Sequence, residues 1–159
     1  ANDYFVNFST QTILNQILKD ASLAVGTLSN PGIVIGSGAP NTFCFNQNDA
    51  SNGFSTWVCY SGALGTGNDV YSCTRSTPGE CTVGNRFVGK VKTITPTFEL
   101  NKDSGSQKVL FHVAIENCLD PTADSCCNFT DTDACPSPDT NNPYVKKEGS
   151  LSPSGHSAG

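Results

Sequence analysis

Eight cysteines constrain this chain more than any other feature of its sequence. Their number is even, and the chain has no methionine and only 14% charged residues, a composition typical of secreted proteins held by disulfides. A zinc site built from cysteines needs paired C-x2-C motifs, and the sequence contains none. The sequence therefore predicts four disulfides in an oxidising compartment, formed by Cys44, Cys59, Cys73, Cys81, Cys118, Cys126, Cys127 and Cys135.

Spacing favours bonds between cysteines that are neighbours along the chain. Cys44 and Cys59 lie in two short apolar segments, and a bond between them closes about 15 residues, which stabilises by roughly 3 kcal/mol. Cys73 and Cys81 flank the turn signal Pro78-Gly79, so they are expected to close a hairpin.

The last four cysteines lie in residues 118–140, a segment with little apolar content to bury. Adjacent Cys126 and Cys127 rarely bond to each other, because the small ring strains the peptide between them. We expect Cys118 to bond one of them and Cys135 the other, and the spacing leaves open which. The segment is predicted to be a disulfide-rich loop held by covalent bonds.

The N-terminus carries the clearest helical pattern. Apolar residues recur there at the i, i+3, i+4, i+7 spacing of an amphipathic helix. They are Ile13, Leu14, Ile17, Leu18, Ala21, Ala24 and Val25. The pattern predicts a long helix over residues 1–26, ended by Gly26 as the glycine that follows a helix.

After this helix the apolar period changes to two, and turn signals separate short segments. The predicted strands are 32–36, 42–45, 57–60, 69–75, 86–94, 97–100 and 108–116, with one more at 142–145. They predict an antiparallel sheet of about four to six strands over residues 32–117. Residues 150–159 show no pattern and are predicted to be a flexible tail.

Together these patterns predict a single domain over residues 1–159 of the α+β class. Its long N-terminal amphipathic helix is expected to pack on one antiparallel, disulfide-stapled β-sheet.

Charge and motifs argue against several functions. The net charge is -5 and the basic residues are scattered, so no patch suits nucleic acid. No apolar run approaches the ~20 residues of a membrane span. His112 and His156 stand far apart in the chain, and neither lies in a nucleophile motif. The sequence thus predicts neither an enzyme nor a bound cofactor.

A pair of aspartates in the disulfide-rich loop is considered as a calcium site. Asp131 and Asp133 offer two carboxylates that suit calcium, but they lack the glycine and distal glutamate of an EF-hand loop. A solvated acidic loop is the favoured alternative, so the two residues are only weak calcium candidates.

Asn7-Phe8-Ser9 and Asn128-Phe129-Thr130 are N-glycosylation sequons, which arise readily by chance in an Asn- and Ser-rich chain.

The start of the helix is apolar on several sides, which favours partners on several sides. Its large apolar residues there are Tyr4, Phe5, Val6 and Phe8. We expect an assembly interface formed by Tyr4, Phe5, Val6, Phe8, Ile13 and Ile17.

The order of these parts resembles the soluble globular part of the type IV pilin and type II secretion pseudopilin family. The resemblance rests on the helical segment 11–24, the entry Asn30-Pro31-Gly32-Ile33, the cysteine-bearing segments 42–45, 57–60 and 70–75, and the terminal Asn142-Pro143-Tyr144-Val145. The family's hydrophobic N-terminal half-helix is not in this sequence, so contact with a membrane is expected only through that missing segment.

The resemblance implies a structural subunit of a type IV pilus-like filament or secretion pseudopilus, located from the periplasm to the cell surface. Its expected partners are other pilin-like subunits, in a homo- or hetero-polymer, or a separate chain that supplies the hydrophobic helix. The loop from Cys118 to Cys135 is then expected to face outward. The alternative is a stand-alone secreted adhesion or carbohydrate-binding domain, with Trp57, Tyr60 and Tyr71 as a stacking face.

Overall fold

A computed structural model describes residues 2–36, 42–48, 56–62, 68–82, 84–101 and 108–157. Within these ranges the chain forms one helix followed by ten strands. The elements are α1 (Asn2–Ser22), β1 (Val25–Thr27), β2 (Ile33–Ile35), β3 (Thr42–Asn46), β4 (Trp57–Gly62), β5 (Asp69–Arg75), β6 (Arg86–Lys90), β7 (Thr93–Asn101), β8 (Lys108–Cys118), β9 (Tyr144–Leu151) and β10 (Gly155–Ser157).

The strands belong to three sheets. Strands β2 to β6 form a five-stranded antiparallel sheet in chain order, and β7, β8 and β9 form a three-stranded antiparallel sheet. The third sheet is the parallel pair of β1 and β10. The predicted α+β class, with a long helix on one antiparallel sheet, is therefore wrong: the molecule is mainly β, and its strands are divided between separate sheets.

The division occurs where one strand was predicted, over residues 86–94. Strand β6 ends at Lys90 and β7 begins at Thr93, in a different sheet. The Val91 N–H donates to the carbonyl of Asn68, which precedes β5, whereas the Lys92 N–H donates to the carbonyl of Glu116 in β8. Two consecutive residues thus bond to different sheets, and a continuous apolar pattern does not reveal such a switch.

The two larger sheets share one core. Val109, Phe111, Val113 and Ile115 are all buried on one side of β8, as their alternation predicts. The ring of Phe111 meets Phe45 of the five-stranded sheet edge-on, with centroids 5.1 Å apart. This contact places side chains of both sheets in the same hydrophobic cluster.

Helix α1 buries one stripe along its whole length and packs mainly against β9 and β8. The stripe includes a polar residue, Thr10, whose hydroxyl accepts a hydrogen bond from the side chain of Asn117 at 3.1 Å. The helix ends at Ser22, and Gly26 lies in β1, so the predicted helix end at Gly26 is wrong. Among the described residues, no helix has both the length and the apolar character needed to cross a membrane.

The last strand, β10, pairs with the short strand β1 that follows the helix. Strand β9 extends to Leu151, and β10 pairs with β1 in the register Val25 to Gly155. The imidazole of His156 in β10 also bonds to the carbonyl oxygen of Pro31 through Nε2. Up to residue 157 these strands correct the predicted flexible tail at 150–159, and residues 158–159 lie outside the described residues. Short strands of this kind lack an apolar period of their own and depend on the partner strand.

All eight cysteines are paired: Cys44 with Cys59, Cys73 with Cys81, Cys118 with Cys126 and Cys127 with Cys135. The pairing expected from spacing is confirmed, and the open choice between Cys126 and Cys127 is settled. Four disulfides indicate that the protein resides in an oxidising environment such as the cell exterior.

Candidate functional site

The exposed side of α1 changes character along its length. Its first two turns present Tyr4, Phe5 and Phe8, which are 73%, 60% and 62% exposed, while the later turns present polar residues such as Asn15 and Lys19. Tyr4 and Phe8 stack on each other at i, i+4 spacing, with ring centroids 6.1 Å apart. Water therefore contacts three large aromatic side chains on one end of one helix.

Phe5 and Phe8 border an apolar groove of about 440 Å³ between α1 and β6. Phe87 of the edge strand β6 is 57% exposed on the opposite wall, and Leu119 is 39% exposed where the disulfide-rich loop begins. We call Tyr4, Phe5, Phe8, Phe87 and Leu119 the aromatic face. Contiguous exposed apolar surface of this kind typically marks a site of interaction.

Glycine at position 89 lets the helix approach β6 beneath the groove. A Cβ atom at Gly89 would lie 2.8 Å from Cδ1 of Ile13, closer than real Cβ contacts. At the rim, Lys90 forms an exposed ion pair with Asp69, with Nζ and Oδ1 3.6 Å apart. The groove thus combines an apolar floor and walls with a charged rim, which suits apolar side chains of a partner surface.

The predicted interface residues separate into two groups. Tyr4, Phe5 and Phe8 are exposed, but Val6, Ile13 and Ile17 are at most 5% exposed. Val6, Ile13 and Ile17 lie on the side of α1 that packs on the protein's own strands, so their place in the predicted interface is corrected. The helical period already places Ile13 and Ile17 on the apolar stripe, whereas Tyr4, Phe5 and Phe8 fall outside it, so the pattern could have separated the two groups.

The predicted stacking face on the five-stranded sheet does not form as expected. Tyr60 is fully buried and stacks on Phe43, with ring centroids 5.2 Å apart. Trp57 and Tyr71 are half-buried and pack against the cluster formed by the first two disulfides. Tyr60 and its two expected partners point to opposite faces of the sheet, because side chains alternate along β4.

The structure places together three polar residues that the sequence pattern did not reveal. Nδ1 of His112 lies 2.6 Å from Oγ of Ser150, and Nε2 lies 3.2 Å from Oε1 of Glu148. The pairing of β8 with β9 puts Ser150 opposite His112, which no local motif encodes. His112 and Glu148 are 37% and 52% exposed, so water competes for each bond.

The weak calcium candidates lie in an exposed turn of the disulfide-rich loop. The carboxylate of Asp131 accepts hydrogen bonds from the backbone N–H groups of Asp133 and Ala134, each at 3.2 Å. Across the described ranges, no group of three or more His, Cys, Asp or Glu side chains is placed to hold a metal ion. Calcium at Asp131 and Asp133 stays a prediction.

Two groups with shifted pKa values, the Glu116 carboxyl and the Tyr144 hydroxyl, lie next to the groove at the end of β8. The Tyr144 hydroxyl donates to the carboxylate of Glu116 and lowers the pKa of that group, and Thr93 donates to its other oxygen at 2.9 Å. Burial and the nearby carboxylate raise the pKa of Tyr144 above its ordinary value. These bonds hold β7, β8 and β9 together beside the aromatic face, which is a structural role.

Comparison with protein-family models, with characterised proteins and with solved structures gives no match.

Proposed function

We propose that this chain is a structural subunit of an extracellular type IV pilus-like filament or secretion pseudopilus, and that the aromatic face contacts the neighbouring subunit. The observation that carries the proposal is the exposure of Tyr4, Phe5 and Phe8 on a helix whose other side is fully packed. The periplasm and the cell surface are the corresponding locations, in keeping with an oxidising environment.

The free energy gained by burying the aromatic face constrains the form of the assembly. Full burial of one large apolar side chain contributes about 1.5–3 kcal/mol, whereas association costs at least about 4 kcal/mol in lost rigid-body freedom. Three to five partly exposed side chains therefore support a weak contact between two copies. A polymer in which each subunit contacts several neighbours multiplies such contacts and becomes stable.

The rest of the molecule suits a subunit that must keep its shape. Four disulfides cross-link short segments, and Phe45 and Phe111 join the two main sheets in one core. When a rigid subunit of this kind binds its neighbour, it loses little conformational freedom beyond its rigid-body motion.

Photocrosslinking in the producing cells tests the proposal. A benzophenone analogue of phenylalanine replaces Phe8, and a matched variant carries the same analogue at Asn15, two turns along the exposed side of α1. We expect irradiation to yield a ladder of crosslinked copies of this chain from position 8 and much less from position 15. A second variant, Phe5→Ser with Phe8→Ser, should lower filament yield while leaving thermal unfolding of the subunit unchanged.

Two outcomes would count against the proposal. Equal crosslinking from positions 8 and 15 would show that the aromatic face has no special role. Crosslinking of position 8 to an unrelated protein, with no copy of this chain attached, would favour a stand-alone adhesion domain instead.

A further inference from the structure

The two sequons of this chain have different structural environments. Asn7 lies on α1, is half-buried, and donates from Nδ2 to the carbonyl oxygen of Asp3 at 2.8 Å. The hydroxyl of Ser9, the third residue of this sequon, donates to the carbonyl oxygen of Val6 at 3.3 Å. Both sequon side chains are thus bonded to the helix backbone, and the nitrogen that would be modified already has a partner.

Asn128 lies instead in the disulfide-rich loop and is exposed. Its Oδ1 accepts hydrogen bonds from the backbone N–H of Thr130 at 3.1 Å and from the Thr130 hydroxyl at 2.8 Å. Within the described part of the chain, no atom accepts a hydrogen bond from Nδ2 of Asn128. The asparagine and threonine of this sequon are therefore hydrogen-bonded to each other, and the amide nitrogen faces water.

We propose that Asn128 is an acceptor site for N-linked oligosaccharide, and that Asn7 is not, when the chain passes through a compartment that holds an oligosaccharyltransferase. In this reaction Nδ2 of Asn128 bonds to the anomeric carbon of a lipid-pyrophosphate-linked oligosaccharide. The bond from that carbon to the pyrophosphate oxygen breaks, the lipid pyrophosphate leaves, and a base of the transferase takes one amide proton.

The fold accommodates a glycan at Asn128 without loss of packing. The bond between Cys127 and Cys135 closes the segment around it, and residues 130–134 are exposed. An oligosaccharide at this position extends into water and adds a hydrated, outward-facing surface to the loop.

A glycan at Asn7 would have the opposite effect. It would break the bond to Asp3 and stand beside Phe8, on the aromatic face. The inference about Asn128 does not depend on the proposed filament, because it rests on the geometry of the loop alone.

The experiment compares four chains secreted from cells that carry the transferase: wild type, Asn128→Gln, Thr130→Ala and Asn7→Gln. Enzymatic deglycosylation in heavy-oxygen water marks each formerly modified asparagine, and peptide mapping then gives the occupancy of each site. We expect occupancy at Asn128 several times that at Asn7. Asn128→Gln and Thr130→Ala should lose the glycan, and Asn7→Gln should retain it.

The proposal is overturned if the wild-type chain is secreted with Asn128 unmodified, or if Asn7 is occupied to the same extent. Thr130→Ala keeps Asn128 itself, so its loss of glycan shows that the sequon is recognised. If the two loop variants differ in secreted yield, circular dichroism of each identifies a folding defect, and the occupancy of wild type still decides the question.

Discussion

Replacing Tyr60 by phenylalanine isolates one hydrogen bond between α1 and the five-stranded sheet. The Tyr60 ring is fully buried against Phe43 and Phe45, and its hydroxyl donates to the carboxylate of Asp20. Phenylalanine keeps the ring contacts and removes only the hydroxyl. The change therefore measures the bond rather than the loss of packing.

The expected cost follows from the surroundings of Asp20. A hydrogen bond to a charged group contributes about 1.5–3 kcal/mol. Asp20 is half-exposed and its carboxylate also accepts from Nε2 of Gln47 at 3.4 Å, so water and Gln47 partly replace the lost donor. We expect Tyr60→Phe to lower the free energy of unfolding by about 1.5–2 kcal/mol, toward the lower end of that range.

Urea unfolding with the disulfides intact measures this value, and an unchanged denaturant slope shows that the variant folds to the same compactness. Tyr71→Phe is the matched control, because no carboxylate among the described residues accepts a bond from its hydroxyl. The control should change stability by less than about 0.5 kcal/mol. A double-mutant cycle with Asp20→Ala should give a coupling energy above about 0.5 kcal/mol.

The same bond predicts the response to alkali. Burial, followed by the bond to Asp20, raises the pKa of Tyr60 above its ordinary value near 10. Only the unfolded chain then loses this proton near pH 10, so wild-type stability falls as pH rises above that value. The stability of Tyr60→Phe should fall less than that of wild type over the same pH range. The reasoning is refuted if Tyr60→Phe matches wild type in urea and in alkali.

Two further changes test other parts of the fold by the same urea assay. Tyr144→Phe should destabilise by about 1 kcal/mol at neutral pH. Because its hydroxyl lowers the pKa of Glu116 below 4.5, that difference should shrink as pH falls through the folded pKa, and a gap constant with pH would contradict this. Gly62→Ala should destabilise by at least about 2 kcal/mol, since φ is 98° and a Cβ would lie 2.0 Å from the carbonyl oxygen of Asp69. Gly36→Ala, where φ is 76° and a Cβ would meet no atom of the described residues within 4 Å, should cost only the backbone strain, and an equal loss in both variants would refute the steric argument.

Local chemistry made some features readable from the sequence. The disulfides join cysteines only 8 or 15 residues apart, so short-range spacing was enough to predict the bonds of Cys44 with Cys59 and Cys73 with Cys81, and it left two pairings open for the last four cysteines. In strand β8 fully buried and partly buried side chains alternate from Val109 to Ile115 because one face covers the core, and the apolar residues Val109, Phe111, Val113 and Ile115 show this alternation in the sequence. The buried stripe of α1 followed from its period for the same reason.

Interactions between distant segments were not readable. The division of the strands between sheets depends on backbone bonds at Val91 and Lys92 to different partners. The parallel pairing of β1 with β10 joins Val25 to Gly155, which are 130 residues apart in the chain, and neither strand has an apolar period from which the pairing could be predicted.

The sequence by itself determined the bonds of Cys44 with Cys59 and Cys73 with Cys81, the N-terminal helix, most of the strand-forming segments, and the aromatic character of the first helical turns. Only the tertiary structure decided that Tyr4, Phe5 and Phe8 all face water, that Tyr60 points inward to Asp20, and that His112 meets Ser150 and Glu148. The physical reason is that periodicity and disulfide spacing act over a few residues, whereas exposure and side-chain partners depend on which strands pair and which face each sheet turns to the core.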